Sequence, residues 1–201
     1  MDINGGQLKY FIYCRKSSDD EDRQILSIES QIRELKEYAL KYNLQVVDIL
    51  TESKSAHYPG REVFEEMLVR IKSGKANGLL VWHANRIARN SKDGGEIIWL
   101  MDSGIIGQID TPSKQYLNTP DDKFYLSLEF SMAKKSSDDL SVVVKRGIRQ
   151  KYERGEYPNY APIGYTNTKV NGVTNISPDP ERKDLVIRLF NEYSTGQVFS
   201  W

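Results

Sequence analysis

Four short clusters carry the residues that could do chemistry. They are Tyr13-Cys14-Arg15-Lys16-Ser17-Ser18, Ser27-Ile28-Glu29-Ser30-Gln31, Ser53 to Arg61, and Asn85-Arg86-Ile87-Ala88-Arg89-Asn90. Serine supplies a nucleophilic hydroxyl. Arginine supplies a permanent positive charge and a planar fork that donates two hydrogen bonds to a phosphate. Arg86 and Arg89 are three residues apart, which on a helix aims both guanidinium groups the same way. With Arg15 and Arg61 from other segments, four cations can converge on one anion. The competing arrangement pairs each arginine with a nearby acid such as Glu52, Glu62 or Asp93, and spacing alone leaves both open.

Each cluster needs a scaffold, and the intervening sequence reads as an α/β fold with a largely parallel sheet. Lys9 to Cys14, Leu44 to Leu50, Gly78 to Trp82 and Ile105 to Ile109 read as strands. Ile28, Ile32, Leu35 and Ala39 line one face of a first helix, and Phe64, Met67, Leu68 and Ile71 one face of a second. Asp93 to Asp102 reads as a third. Three clusters then leave strands one, two and three and the other enters the first helix, where open α/β sheets bind ligands. Thr119-Pro120-Asp121-Asp122 predicts a helix start, with a capping hydroxyl, a proline at the first helical position and an acid three residues after the cap. From there to Arg154 no further proline interrupts and Gly147 is the one glycine, which predicts a long helix or two in series, about 45 Å if continuous. A helix of that length is expected to project from one small domain. Prolines, glycines and tyrosines from Gly155 to Thr168 mark a boundary. Asp179-Pro180 opens a last helix with Val186, Leu189, Phe190 and Tyr193 on one face.

The 201 residues are 39% hydrophobic and 28% charged, the composition of a globular chain. A single cysteine, Cys14, excludes an internal disulfide and suits a reducing cytoplasm. With only His57 and His83 beside it, a dedicated zinc site is not expected. No apolar run reaches membrane-spanning length, and no signal peptide is visible. Neither phosphate-cradling glycine motif is present, which counts against a nucleotide enzyme. Net charge is zero. Between Lys145 and Arg154, however, five charged residues are basic and one is acidic, a solvated helix face if read by itself. Trp82 and Trp99 read as core or sheet-edge packing.

In order along the chain stand Tyr-x-Arg-x-Ser, a glutamine near the first helix start, Ser55 six residues before Arg61, and Arg-x-x-Arg after strand three. This series is similar to the catalytic signature of the serine site-specific recombinases, the family of resolvases, invertases and large serine integrases. Arg146-Gly147-Ile148, Gly155 and Pro162-Ile163-Gly164-Tyr165 resemble the opening of the DNA-binding region in the large subgroup. The resemblance implies a resolvase-like domain with a mostly parallel sheet of four to five strands flanked by helices, a long projecting helix, and the start of a second small domain. Its expected limits are a catalytic domain at 1–135, a dimer- and DNA-contacting helix with linker at 136–155, and an incomplete DNA-binding domain at 156–201.

Carried over by position, the resemblance makes Ser17 the nucleophile, with Arg15, Arg86 and Arg89 on the scissile phosphate and Arg61 a further active-site arginine. Tyr13, Gln31 and Ser55 match supporting positions. Lys16 stands in a usually aliphatic place, and Ser18 in a threonine place. Asn85 replaces an aspartate whose carboxyl would serve proton transfer, and asparagine is a poor proton donor. Ser136-Ser137 replace a Glu-Arg pair. The chemistry implied is a metal-free, cofactor-free transesterification through a phosphoseryl link to double-stranded DNA, by homodimers that pair into a tetramer. Lys145, Arg146, Arg149, Lys151 and Arg154 would lie near DNA phosphates. The expected location is the cytoplasm, on the nucleoid when DNA-bound. Two alternatives stand beside it: a DNA-bound relative that no longer cuts, and a small-molecule phosphate-binding α/β enzyme.

Overall fold

The computed structural model describes residues 8–15, 28–56, 59–170 and 172–196. The chain divides into two compact units, residues 1–139 and 140–201.

Unit one is built on a five-stranded sheet. Its strands are β1 (Lys9–Arg15), β2 (Gln45–Glu52), β3 (Gly78–Val81), β4 (Gln108–Asp110) and β5 (Gln115–Leu117), in the spatial order β2-β1-β3-β4-β5. The first four pair in parallel and β5 closes the edge antiparallel to β4. Side chains alternate across a strand, and β1 uses both sides. Tyr10, Ile12 and Cys14 pack with Leu35 and Ala39 of helix α1 (Ile28–Lys41). Phe11 and Tyr13 face the opposite layer, with Phe64, Met67, Leu68 and Ile71 of α2 (Glu62–Lys72) and Ile97, Leu100 and Met101 of α4 (Ser91–Asp102). A strand buried on both faces has no polar alternation, which is why β1 reads as a continuous apolar run. Gly78 lets the Tyr10 ring cross β3, since a Cβ there would meet that ring at 2.7 Å.

Two edge details depart from expectation. The fourth strand begins at Gln108 and not at Ile105, because the amides of Ile105 and Ile106 both donate to the Leu100 carbonyl and close the end of α4. Gly104, at φ +70°, supplies the left-handed turn that this closure needs. Strand β5, Gln-Tyr-Leu, is only three residues long and too short to stand out as a strand pattern. The expected strand lengths elsewhere differ from the observed ones only at the ends.

Helix α5 runs unbroken from Pro120 to Glu153. The Asp122 amide donates to the Thr119 hydroxyl at 3.2 Å, the cap that the sequence pattern predicts. Leu126 and Phe130 are its buried residues, both in the core of unit one. Trp82 packs against the α1 layer and donates to Glu34 at 2.9 Å. Trp99 does not meet the expectation of packing, being 54% exposed on α4 with Lys72 near its ring.

In unit two, β6 (Tyr165–Val170) and β7 (Val173–Pro178) form an antiparallel hairpin that the composition of this region does not reveal. Helix α6 (Lys183–Ser194) follows. Gly164, at φ +90°, lies against Val186, where a Cβ would sit 3.0 Å from the valine methyl. The rest of the expected apolar face, Leu189, Phe190 and Tyr193, is more than half exposed.

Candidate active site

The C-terminal ends of β1, β2 and β3 bring three of the four clusters to one end of the sheet, and the start of α1 adds Gln31. Arg15, the last residue of β1, is fully buried and stands beside Glu52 in the strand register. Its Nε donates to the Arg86 carbonyl at 3.3 Å. Gln31 of α1, equally buried, donates from Nε2 to the Arg15 carbonyl at 3.3 Å. Burial holds the Arg15 guanidinium down to about 10, and the positive charges of Arg89 and Arg86 act in the same direction. Three arginines on two segments therefore share one electrostatic neighbourhood. Such crowding raises the free energy of the unliganded site and favours a multiply charged anion.

Arg86 lies on the single-turn helix α3 (Ala84–Ile87), which His83 caps by accepting from the Asn85 amide at 3.3 Å. Arg86 is 2% exposed with its guanidinium over the Trp82 ring. After this turn Ala88 returns to extended geometry, so the expected helical i, i+3 relation of Arg86 and Arg89 does not continue through Arg89. A backbone bond fixes Arg89 instead, its amide donating to the Ala56 carbonyl at 3.2 Å. This bond joins the third cluster, which carries Ser55, to the fourth. Asn85 is partly buried, and its Oδ1 has no hydrogen-bond partner among the described residues.

Arg61 departs from the expected ring of four. It is 1% exposed, and its guanidinium donates to the Tyr13 hydroxyl at 2.9 Å, the Ile87 carbonyl at 2.6 Å and Asp93 Oδ2 at 2.8 Å. Its plane also lies 3.9 Å from the centre of the Phe64 ring. The acid-paired arrangement that spacing left open is the one Arg61 adopts, with Asp93 as partner. Asp93 was visible in the sequence only as one of three nearby acids. Asn90 completes the group by donating to both Asp93 Oδ2 and the Ala56 carbonyl, at 2.8 and 3.0 Å. The same asparagine caps α4 through its Oδ1. Tyr13 is held well above the usual phenol range, chiefly by burial, and stays neutral.

Lys16, Ser17, Ser18, Ser27 and His57 lie outside the described residues. Lys145, Arg146, Arg149, Lys151 and Arg154 are all exposed on or just after the last turns of α5. Arg149 pairs with Glu153 at 2.9 Å and Arg154 with Glu156 at 2.7 Å, so part of the basic run is internally balanced. Among the described residues no group of acids, histidines or cysteines could hold a metal. No helix among them is long and apolar enough to cross a membrane.

No curated protein matches the chain. Among solved structures it is similar to the N-terminal catalytic domain of TP901-1 integrase, at 21% identity and a TM-score of 0.48 over 66% of this chain and 98% of that one. A resolvase family site-specific recombinase from Streptococcus pneumoniae matches at 21% identity and 0.46, over 73% and 99%. The C-terminal catalytic domain of ISC1926 TnpA, an IS607-like serine recombinase, matches at 22% and 0.44, over 52% and 70%. The model of the resolvase N-terminal domain matches residues 10–157, from β1 to just past the end of α5. Spanning that much of the sequence, the match shows that the chain belongs to the resolvase family of site-specific DNA recombinases.

Proposed function

We propose that this recombinase cuts and rejoins double-stranded DNA through a covalent phosphoseryl link at Ser17. The serine oxygen attacks phosphorus, the bond to one deoxyribose oxygen breaks, and that oxygen leaves with a proton. One phosphodiester replaces another ester of similar energy, so no nucleotide is consumed. Arg15, Arg86 and Arg89 neutralise charge growing on the non-bridging oxygens, a role metal ions fill in other phosphoryl-transfer sites. Gln31, Tyr13 and Ser55 support them. The observation that carries this reading is the burial of Arg15 among the charges of Arg86 and Arg89.

The exposed basic residues Lys145, Arg146, Arg149, Lys151 and Arg154 suit backbone phosphates. The reading extends to dimers that pair into a tetramer on DNA, and to a catalytic segment at 1–135, a dimer- and DNA-contacting segment at 136–155 and a DNA-binding segment from 156 onward. It places the protein in the cytoplasm, on the nucleoid when bound. The test is denaturing capture of covalent protein–DNA adducts from a randomised duplex library, followed by sequencing of the trapped ends. Adducts are expected with the parent chain and none with Ser17→Ala.

One observation favours a second reading, a DNA-bound relative that does not cut. Asn85 stands at the family's carboxylate position, with its Oδ1 unpartnered among the described residues. Tight duplex binding without any adduct from the parent chain decides for that reading.

A further inference from the structure

The Arg61 guanidinium is bound by the fold. Its three hydrogen-bond partners come from three elements: Tyr13 on β1, Ile87 at the end of α3 and Asp93 in the first turn of α4. Two of those places matter to the site. Tyr13 is two residues before Arg15, and the Ile87 carbonyl lies between Arg86 and Arg89. Asp93 holds Arg61 in place and also takes the Asn90 amide, which in turn holds the Ala56 carbonyl that receives the Arg89 amide. Asp93 is 6% exposed, so the pair works where water does not compete.

We infer that Arg61 and Asp93 are a buried positioning pair, with Arg61 bound to protein and not to DNA, that sets the 86–90 segment against β1 and so fixes where Arg86 and Arg89 present their charge. This rests on the phosphate-binding role given above to Arg86 and Arg89. Polar atoms of Arg61, Asp93, Asn90, Ala56 and Ile87 form one connected network, so loss of any member loosens the same segment. A displacement of about 1 Å at a reacting site costs on the order of a hundredfold in rate. The pair therefore affects reaction without touching the reacting atoms.

The experiment uses the full chain with Arg61→Met and Asp93→Leu combined. Exchanging a buried ion pair for apolar side chains of similar volume is commonly neutral for folding. Near-UV circular dichroism checks that the variant keeps the parent fold. If it does not, Asn90→Ala, which leaves the ion pair in place, carries the same readouts. The Arg89 amide is expected to exchange with solvent about tenfold faster or more, because its anchor has lost support. Affinity for a 40-base-pair random duplex should keep the parent's salt dependence, whereas losing one phosphate contact lowers that slope by about 0.9. Single-turnover cleavage of a trapped site should fall about 10- to 100-fold with duplex affinity retained. Unchanged amide exchange overturns the inference, and so does a salt slope reduced by a full contact. Exchange and salt slope are read without cleavage. Failure of the parent chain to cut would therefore count against the serine chemistry and leave the positioning pair to be judged by those two measurements.

Discussion

Arg15 and Arg61 are both buried at the same end of one sheet, and they are treated oppositely by their surroundings. Arg61 meets a carboxylate, a carbonyl and a phenol oxygen. Arg15 donates to the Arg86 carbonyl, and burial, then the charges of Arg89 and Arg86, lower its proton affinity. Burying a guanidinium beside a carboxylate offsets its desolvation, whereas burying it near other cations adds to that cost. The contrast sets Arg61, bound to an acid of the fold, apart from Arg15, Arg86 and Arg89, to which the proposed function gives the phosphate. A motif of four arginines can therefore hold one that is paired within the fold.

The contrast breaks most sharply at Arg86. Arg86→Ala is expected to lower single-turnover cleavage by ~10³ to 10⁵, the range for an arginine that stabilises a phosphoryl-transfer transition state. A loss of about a hundredfold or less in quenched-flow measurements would place Arg86 with Arg61, among the positioning arginines.

Stability should then divide the two regions. Asp93→Ala leaves Arg61 buried without its counter-charge and is expected to cost about 3–5 kcal/mol in urea unfolding. Arg15→Met removes a crowded charge and is expected to stabilise the DNA-free chain, by on the order of 1–2 kcal/mol, while cleavage is lost. Equal destabilisation by both changes would erase the distinction between them.

The smallest effect lies away from both regions. Asp110 is fully buried at the end of β4, accepts from Gln108 at 2.8 Å, and is raised above the ordinary carboxylate range chiefly by burial. Because its folded state holds a proton more tightly than the unfolded chain, its contribution to stability is full below the unfolded value. That contribution declines as pH rises through the folded value. Asp110→Asn should flatten this decline, seen as a smaller loss of melting temperature from mildly acid to neutral pH. An unchanged pH slope would show that Asp110 ionises freely in the folded chain.

Much of the scaffold was legible from local signals. The stripes at Leu35 and Ala39 and at Phe64, Met67, Leu68 and Ile71 mark the faces that α1 and α2 bury. The Thr119 cap marks where α5 starts. These features depend on neighbours a few residues away, and the chain records such relations directly. Strand β5 and the hairpin of β6 and β7 escaped because strands this short or this exposed owe their existence to a partner strand and not to their own composition. The exposed face of α6 escaped for a related reason, since an apolar stripe states what a helix can bury and not whether anything covers it.

At the site the division is the same. The sequence by itself determined the cast: a serine two residues after an arginine, a glutamine, Arg61, and Arg86 with Arg89, in an order that resembles the resolvase signature. It also carried the acids able to neutralise the arginines, Glu52, Glu62 and Asp93, without saying which would. Only the tertiary structure decided that Asp93, thirty-two residues beyond Arg61, takes that arginine, and that Arg15 is buried near Arg86 and Arg89. Ion pairing depends on distance and dielectric through space, both of which are set when the strands align and water is driven from their ends.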